Sequence, residues 1–399
     1  SHMLQKILVD EWGFDGFVVS DWGGSNDHAL GVKNGSHLEM PGTGNSGVHD
    51  IVEAVKNGNL TEEVLDQRLD ELLSVIIDTH QATEEKKGTA FNVEAHHELA
   101  RKAAEESVVL LKNEDNILPL RPGTKVTVIG DFAQNPRYQG AGSSLVNPAK
   151  QPEFILGEIG SSGLEMVAFE QGYRRNKKSD EKLLNQAKEA AKKAEVVLIF
   201  AGLDEISESE GLDRTHMNMP QAQNMLIDEI TTVNPNVIVV LSAGSAVEMP
   251  WYSYVSGIVH GYLGGQAGAS AMLNVLTGKV CPSGKLNETY PMHCEDTPVQ
   301  HYYPSKERSS EYREALYVGY RYYTTVDKKV RFPFGFGLSY TTFKYSDLKM
   351  DESGVTFQIR NTGKIKGTEI AQLYVGRKSD TVFRPVRELK GFARVTLEA

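Results

Sequence analysis

From Lys125 onward the chain alternates short apolar strands with helical stretches, and this rhythm constrains the fold more than any other feature. Val126–Ile129, Val196–Phe200, Val237–Leu241 and Ile258–Tyr262 read as strands with little polar interruption. The intervening segments read as helices. One spans about Asp180 to Ala194; a second opens with Pro220 and carries Ala222, Leu226, Ile230 and Val233 on one stripe; a third runs from Ala269 to Leu276 before Gly278. Strands that stay apolar along their whole length are buried on both faces, and helices between them force parallel pairing. The expectation is an α/β, doubly wound domain, with ligands gathered outside the carboxyl ends of its strands.

The residues on either side follow other rules. At 399 residues the chain exceeds one ordinary domain. Ahead of the parallel sheet, Phe17-Val18-Val19-Ser20 reads as a buried strand ending at Asp21 and Trp22, and Ser36 to Met40 as a second. A helix with Val48, Ile51, Val52 and Val55 on one face stops at Gly58. A longer one opens at Thr61, with Leu65, Leu69, Leu72, Leu73 and Ile76 on its stripe. Residues 81–89 read as a linker, and a helix is expected from about Leu99 to Leu111. After residue 340 the pattern switches to alternating strands, Val355–Arg360 and Glu369–Val375, around a turn at Asn361-Thr362-Gly363.

Composition excludes several classes of partner. A formal net charge of -11 with no polybasic run argues against nucleic acid and anionic membrane surfaces. Two cysteines, Cys281 and Cys294, supply neither a disulfide framework nor a metal cluster, and no cofactor motif is complete. Gly140-Ala141-Gly142-Ser143 lacks the third glycine and the helix start of a dinucleotide site. The opening Ser1-His2-Met3 reads as the remnant of a cleaved tag, so it carries no information about cellular location.

Two places concentrate carboxylates where chemistry would sit. Asp21 ends an apolar strand, where it either caps the helix expected after Asp27 or works on a ligand; Trp22 beside it is either a sugar platform or a core residue. After the strand Val196–Phe200 comes a loop with Asp204, Glu205, Glu208, Glu210 and Asp213, followed by Arg214. That loop is a solvated acidic turn, a hard-cation site, or part of a catalytic pair. Paired carboxylates at strand ends suit glycosidic cleavage, in which one attacks the anomeric carbon and the other exchanges a proton.

The ordered motifs resemble glycoside hydrolase family 3. Ser20-Asp21-Trp22-Gly23 with Leu38-Glu39-Met40-Pro41-Gly42 is similar to the last two strands of that family's catalytic (β/α)8 barrel. Glu106-Ser107-Val108-Val109-Leu110-Leu111-Lys112-Asn113 resembles the entry to its α/β sandwich domain, and Glu208-Ser209-Glu210-Gly211-Leu212-Asp213-Arg214 its acid/base loop. Gly244 to Trp251, Pro282 to Leu286, Phe332 to Tyr340, and Gln372 to Val375 match later signatures, the last in a fibronectin III-like module. The resemblance implies a barrel remnant at 4–80, a connecting segment at 81–118, the sandwich domain at 119–340 and part of a fibronectin III-like domain at 341–399. It also implies that Asp21 is a nucleophile, Trp22 a wall of the sugar subsite and Glu210 the general acid/base. Glu208, Asp213 and Arg214 would support it, the two acids raising the Glu210 pKa and Arg214 opposing them. The implied partner is a β-glucoside, small or oligosaccharide, together with the rest of the barrel. A typical barrel needs about 250 residues and roughly 80 are present, so the expectation is a piece of a longer enzyme, with little activity alone.

Overall fold

A computed structural model describes residues 2–88, 90–175, 179–306, 308–352, 354–378 and 381–399. The chain divides into two compact units, Ser1–Phe91 and Asn92–Ala399.

In the first unit a helical segment, His2–Glu11, is followed by α1 (His28–Lys33), α2 (Asn45–Lys56) and α3 (Glu62–Glu85). Asp27 caps α1 by accepting from the Leu30 amide at 2.8 Å, and Thr61 caps α3, whose first turn carries Glu62 and Glu63. Helix α3 runs into the stretch expected to be a linker. The buried strand expected at residues 17–20 is reduced to a single parallel bridge, Val19 to Leu38, and Val19 remains 40% exposed. An apolar run becomes a two-sided strand only when neighbours pair with both its edges, and among the described residues of this unit Val19 bridges to Leu38 alone.

The second unit begins with α4 (Val93–Ser107), capped by Asn92, and then a strand, β1 (Val109–Asn113). The sequence reading carried the helix through Leu111; the chain instead turns extended at Val108, where β-branched residues cluster. There follow β2 (Lys125–Ile129), α5 (Ile155–Glu158), β3 (Glu165–Glu170), α6 (Glu181–Ala191), β4 (Val196–Gly202), α7 (Gln221–Thr231), β5 (Val237–Ser242), β6 (Gly257–His260) and α8 (Gly268–Leu276). The six strands form one sheet in the order β1-β6-β5-β4-β2-β3. All neighbours are parallel except β1 against β6. Strand β3 had no expectation attached: it is a half-exposed edge whose four apolar residues, Met166 to Phe169, are flanked by Glu165 and Glu170.

Strand β4 shows why continuous apolarity gives this architecture. Successive side chains point to opposite faces. Val197, Ile199 and Ala201 join a core with Leu226, Ile227 and Trp251. Val196, Leu198 and Phe200 join a second core with Ile155, Leu273 and Leu276. One strand thus seals two layers. It ends at Gly202, where a Cβ would stand 1.8 Å from the Ser242 carbonyl oxygen, so only glycine lets the chain leave the sheet there.

Beyond α8 come a short antiparallel pair, β7 (Tyr290–Pro291) with β8 (Val330–Phe332), and α9 (Tyr320–Thr325). Leu338 then returns to the start of the unit and bridges Leu110 of β1, its amide donating to the Leu110 carbonyl at 2.8 Å. The last residues form two antiparallel hairpin-like pairs, β9 (Phe343–Asp351) with β10 (Gly354–Asn361), and β11 (Gly367–Val375) with β12 (Glu388–Leu397). Asn361 makes the turn between the pairs. Its buried side chain accepts from Thr341 Oγ1 at 2.7 Å and from the Gly363 amide, and donates to the Ile365 carbonyl.

Candidate active site

Asp21 follows the bridged residues of the first unit. Ser20 is held by its neighbour segment, with its amide donating to Leu38 and its hydroxyl accepting from the Met40 amide at 2.8 Å. His37 locks the same place from below: Nδ1 accepts from the Val18 amide, and Nε2 meets Glu71 at 2.6 Å, while Arg68 pairs with Glu71 at 2.7 Å. The chain then turns through Gly23 at φ 76°, leaving Asp21 exposed. Among the described residues its carboxylate accepts only from the Trp22 amide, at 2.7 Å, and the cap of α1 is Asp27. The capping alternative for Asp21 is therefore removed. The Trp22 indole is 68% exposed, so the core alternative for it is removed as well.

His28 joins two acids. Nδ1 meets Asp50 at 2.9 Å and Nε2 faces Glu39 at 3.3 Å. The Asp50 hydrogen bond is the main cause of a pKa above the ordinary 6.5, and burial opposes it.

The acidic loop leaves the carboxyl end of β4 in the second unit. Glu208 is half-buried among donors, accepting from Arg137 Nη1 at 2.6 Å, the Gly244 amide at 2.8 Å and the Ser245 hydroxyl. Burial works against its ionisation, yet the Ser245, Gly244 and Arg137 contacts outweigh burial and hold the carboxyl below the usual range. Arg214 reaches the same serine, donating to Ser245 Oγ at 2.7 Å and to the Ala246 carbonyl at 3.0 Å.

Glu210 points elsewhere. Its amide donates to the Ala141 carbonyl at 3.1 Å, and its carboxylate accepts from both the amide and the hydroxyl of Ser143. The Ser143 hydroxyl and amide lower its pKa, so this exposed carboxyl rests ionised. Gly142, at φ 98°, makes room for it, since a Cβ there would lie 2.5 Å from the Glu210 Cβ. The glycine-rich loop that fails as a dinucleotide motif thus receives a carboxylate.

The supporting arrangement read from sequence is not what forms. Asp213 accepts from the Tyr303 hydroxyl at 2.9 Å, Glu208 is neutralised by Arg137, and Arg214 is bound to the segment after β5. Burial is the largest influence on Arg214, lowering its pKa. The lowered pKa of Glu210 is opposite to the expected acid-raised one. Arg137 was missed altogether: its carboxylate partner lies 71 positions away, and nothing local marks it. Among the described residues, no three His, Cys, Asp or Glu side chains cluster so as to hold a metal ion.

Residues 108–340 match the family model described as "Glycosyl hydrolase family 3 C-terminal domain", and residues 369–399 that of a "Fibronectin type III-like domain". The chain is 46% identical to thermostable beta-glucosidase B of Acetivibrio thermocellus, over 99% of this chain and 54% of that protein. It is 40% identical to an exo-alpha-(1->6)-L-arabinopyranosidase of Bifidobacterium breve, over 100% of this chain and again 54% of the relative. The chain spans about half the length of these curated relatives. It superposes on the crystal structure of a family 3 beta-glucosidase from Bifidobacterium adolescentis with a TM-score of 0.93 at 41% identity, covering 100% of this chain and 59% of the other. With more than half its residues inside the first family model and its fold shared with a solved member, the chain belongs to glycosyl hydrolase family 3.

Proposed function

We propose that this chain is the carboxyl-terminal part of a retaining, exo-acting glycoside hydrolase that removes terminal β-D-glucosyl residues by double displacement. The observation that carries the reading is the alignment of 99% of the chain with a beta-glucosidase at 46% identity. Asp21, exposed and without a capping duty, attacks the anomeric carbon and forms the glycosyl ester. Glu210 donates a proton to the leaving oxygen and then takes one from water. For that role its carboxyl must exchange the two Ser143 donors for the glycosidic oxygen and arrive protonated. Trp22 offers its exposed indole face to the sugar ring. Residues 4–80 are read as barrel, 81–118 as connection, 119–340 as the sandwich domain and 341–399 as fibronectin III-like.

The 40% identity to an exo-alpha-(1->6)-L-arabinopyranosidase favours a second reading, in which the same pair acts on a different terminal pyranoside. A carbohydrate-binding role without turnover is the reading to exclude.

The test joins the preceding segment of the A. thermocellus relative ahead of Leu4. The chimera is expected to hydrolyse a chromogenic β-glucoside, while this chain alone turns it over poorly because most of a barrel's strands are not in it. Asp21→Asn and Glu210→Gln should each reduce hydrolysis, the latter by about 10²–10⁴-fold on a substrate with a poor leaving group. Sugar binding measured by calorimetry should survive Glu210→Gln. Full turnover after either substitution would refute the assignment.

A further inference from the structure

Arg137 lies in the segment after β2 and is 4% exposed. A buried guanidinium is costly unless every edge of its charge is engaged. Here the two terminal nitrogens engage one loop, while the buried Nε finds no partner among the described residues. Nη1 donates to the Leu203 carbonyl at 2.9 Å and to Glu208 Oε2 at 2.6 Å, and Nη2 donates to the Glu208 carbonyl at 2.9 Å. One planar group therefore grips the loop where it leaves β4 and again five residues later. The Gly244 amide and the Ser245 hydroxyl close on the Glu208 carboxylate from the next strand end. Two residues further on, the Glu210 amide is tied to Ala141, in the same segment as Arg137.

We infer that Arg137 is a positioning residue: by clamping Leu203 and Glu208 it fixes where the Glu210 carboxyl is presented, an inference that rests on the acid/base role proposed above. Glu208 is then the anchor of the loop and not its proton donor. A guanidinium suits this task because its fork addresses a carboxylate and two carbonyls at once, whereas an ammonium carries the charge without the planar reach. The competing account is that Arg137 merely neutralises a half-buried acid. Arg137→Lys separates the two, since it keeps the charge and loses the multiple grip.

In the chimera, kcat/KM reports the glycosylation step. A 2,4-dinitrophenyl β-glucoside needs no proton from the enzyme; an alkyl β-glucoside does. A displaced proton donor should cost Arg137→Lys about 10-fold or more on the alkyl glucoside and less than about 2-fold on the dinitrophenyl one. Equal losses on both, or no loss on either, would overturn the inference. Glu210→Gln run alongside keeps the two levels apart: if it shows no leaving-group dependence, the acid assignment fails before Arg137 is judged. The chain alone supplies an independent arm. Amide exchange at Ser207, Glu208 and Glu210 should accelerate in Arg137→Lys while β4 stays protected, and unchanged exchange in that loop would overturn the inference whatever the activity.

Discussion

Two apolar runs of similar composition meet different fates. Phe17-Val18-Val19 makes one bridge and stays partly exposed, whereas Val196–Gly202 pairs on both edges and is buried throughout. The tryptophans divide the same way. Trp12 and Trp22, in the first unit, are 74% and 68% exposed, and Trp251, in the second, is fully buried with its Nε1 donating to Asn224 Oδ1 at 2.9 Å. What separates the regions is the number of neighbouring elements each run finds, not its hydrophobicity. The second unit closes two cores around its sheet; the first presents Trp12, Trp22 and Asp21 to solvent.

This contrast can be tested by substitution. Trp251→Ala should destabilise the second unit by about 4 kcal/mol, read from the urea midpoint, whereas Trp22→Ala should change stability by less than about 0.5 kcal/mol. Equal effects would show that the contrast in burial is not a contrast in energetics.

Acid should separate the units next. Burial lowers the His260 pKa from 6.5 to about 4, with the Leu241 carbonyl opposing. Between those values the unfolded chain binds a proton that the folded one refuses, so stability falls as pH drops below 6.5, by up to about 3 kcal/mol. His28 has the opposite sign. Its raised pKa favours folding at pH below 6.5, and that contribution disappears as pH rises through the folded value. NMR titration should find His28 with a midpoint above 6.5 and His260 neutral down to about pH 5; matching midpoints would contradict both.

The smallest effect lies inside the first unit. Asp27→Ala should cost about 1 kcal/mol through the lost cap, and Asp21→Asn should leave the melting temperature unchanged. A loss at Asp21 would reinstate it as a structural residue.

The sequence reading reached different elements unequally for physical reasons. Strands β2, β4, β5 and β6 were legible because continuous apolar runs bounded by helices have few other solutions. Strand β3 was not, since a half-exposed edge carries acids and looks like a loop, and β1 was absorbed into the helix before it because Val108 to Leu111 fits either period. Asp21 stood out as a carboxylate at a strand end, and Glu210 by its place in a motif that resembles the family's acid/base loop. What surrounds the acidic loop did not: Ser143, Arg137 and Ser245 come from loops after other strands, and only the sheet order brings them to one edge. The expected raised pKa of Glu210 failed for the same reason. Proximity in sequence suggested Glu208 and Asp213 as its electrostatic neighbours, and folding gave each of those a different partner.

The bridge between Leu110 and Leu338 has a consequence for the history of such chains. Because β1, at one edge of the six-stranded sheet, bridges at Leu110 to Leu338, the point where the chain enters the sheet and the point where it leaves the α/β region are side by side. A module with adjoining ends can be exchanged between genes, or its termini relocated, without stretching what it is attached to.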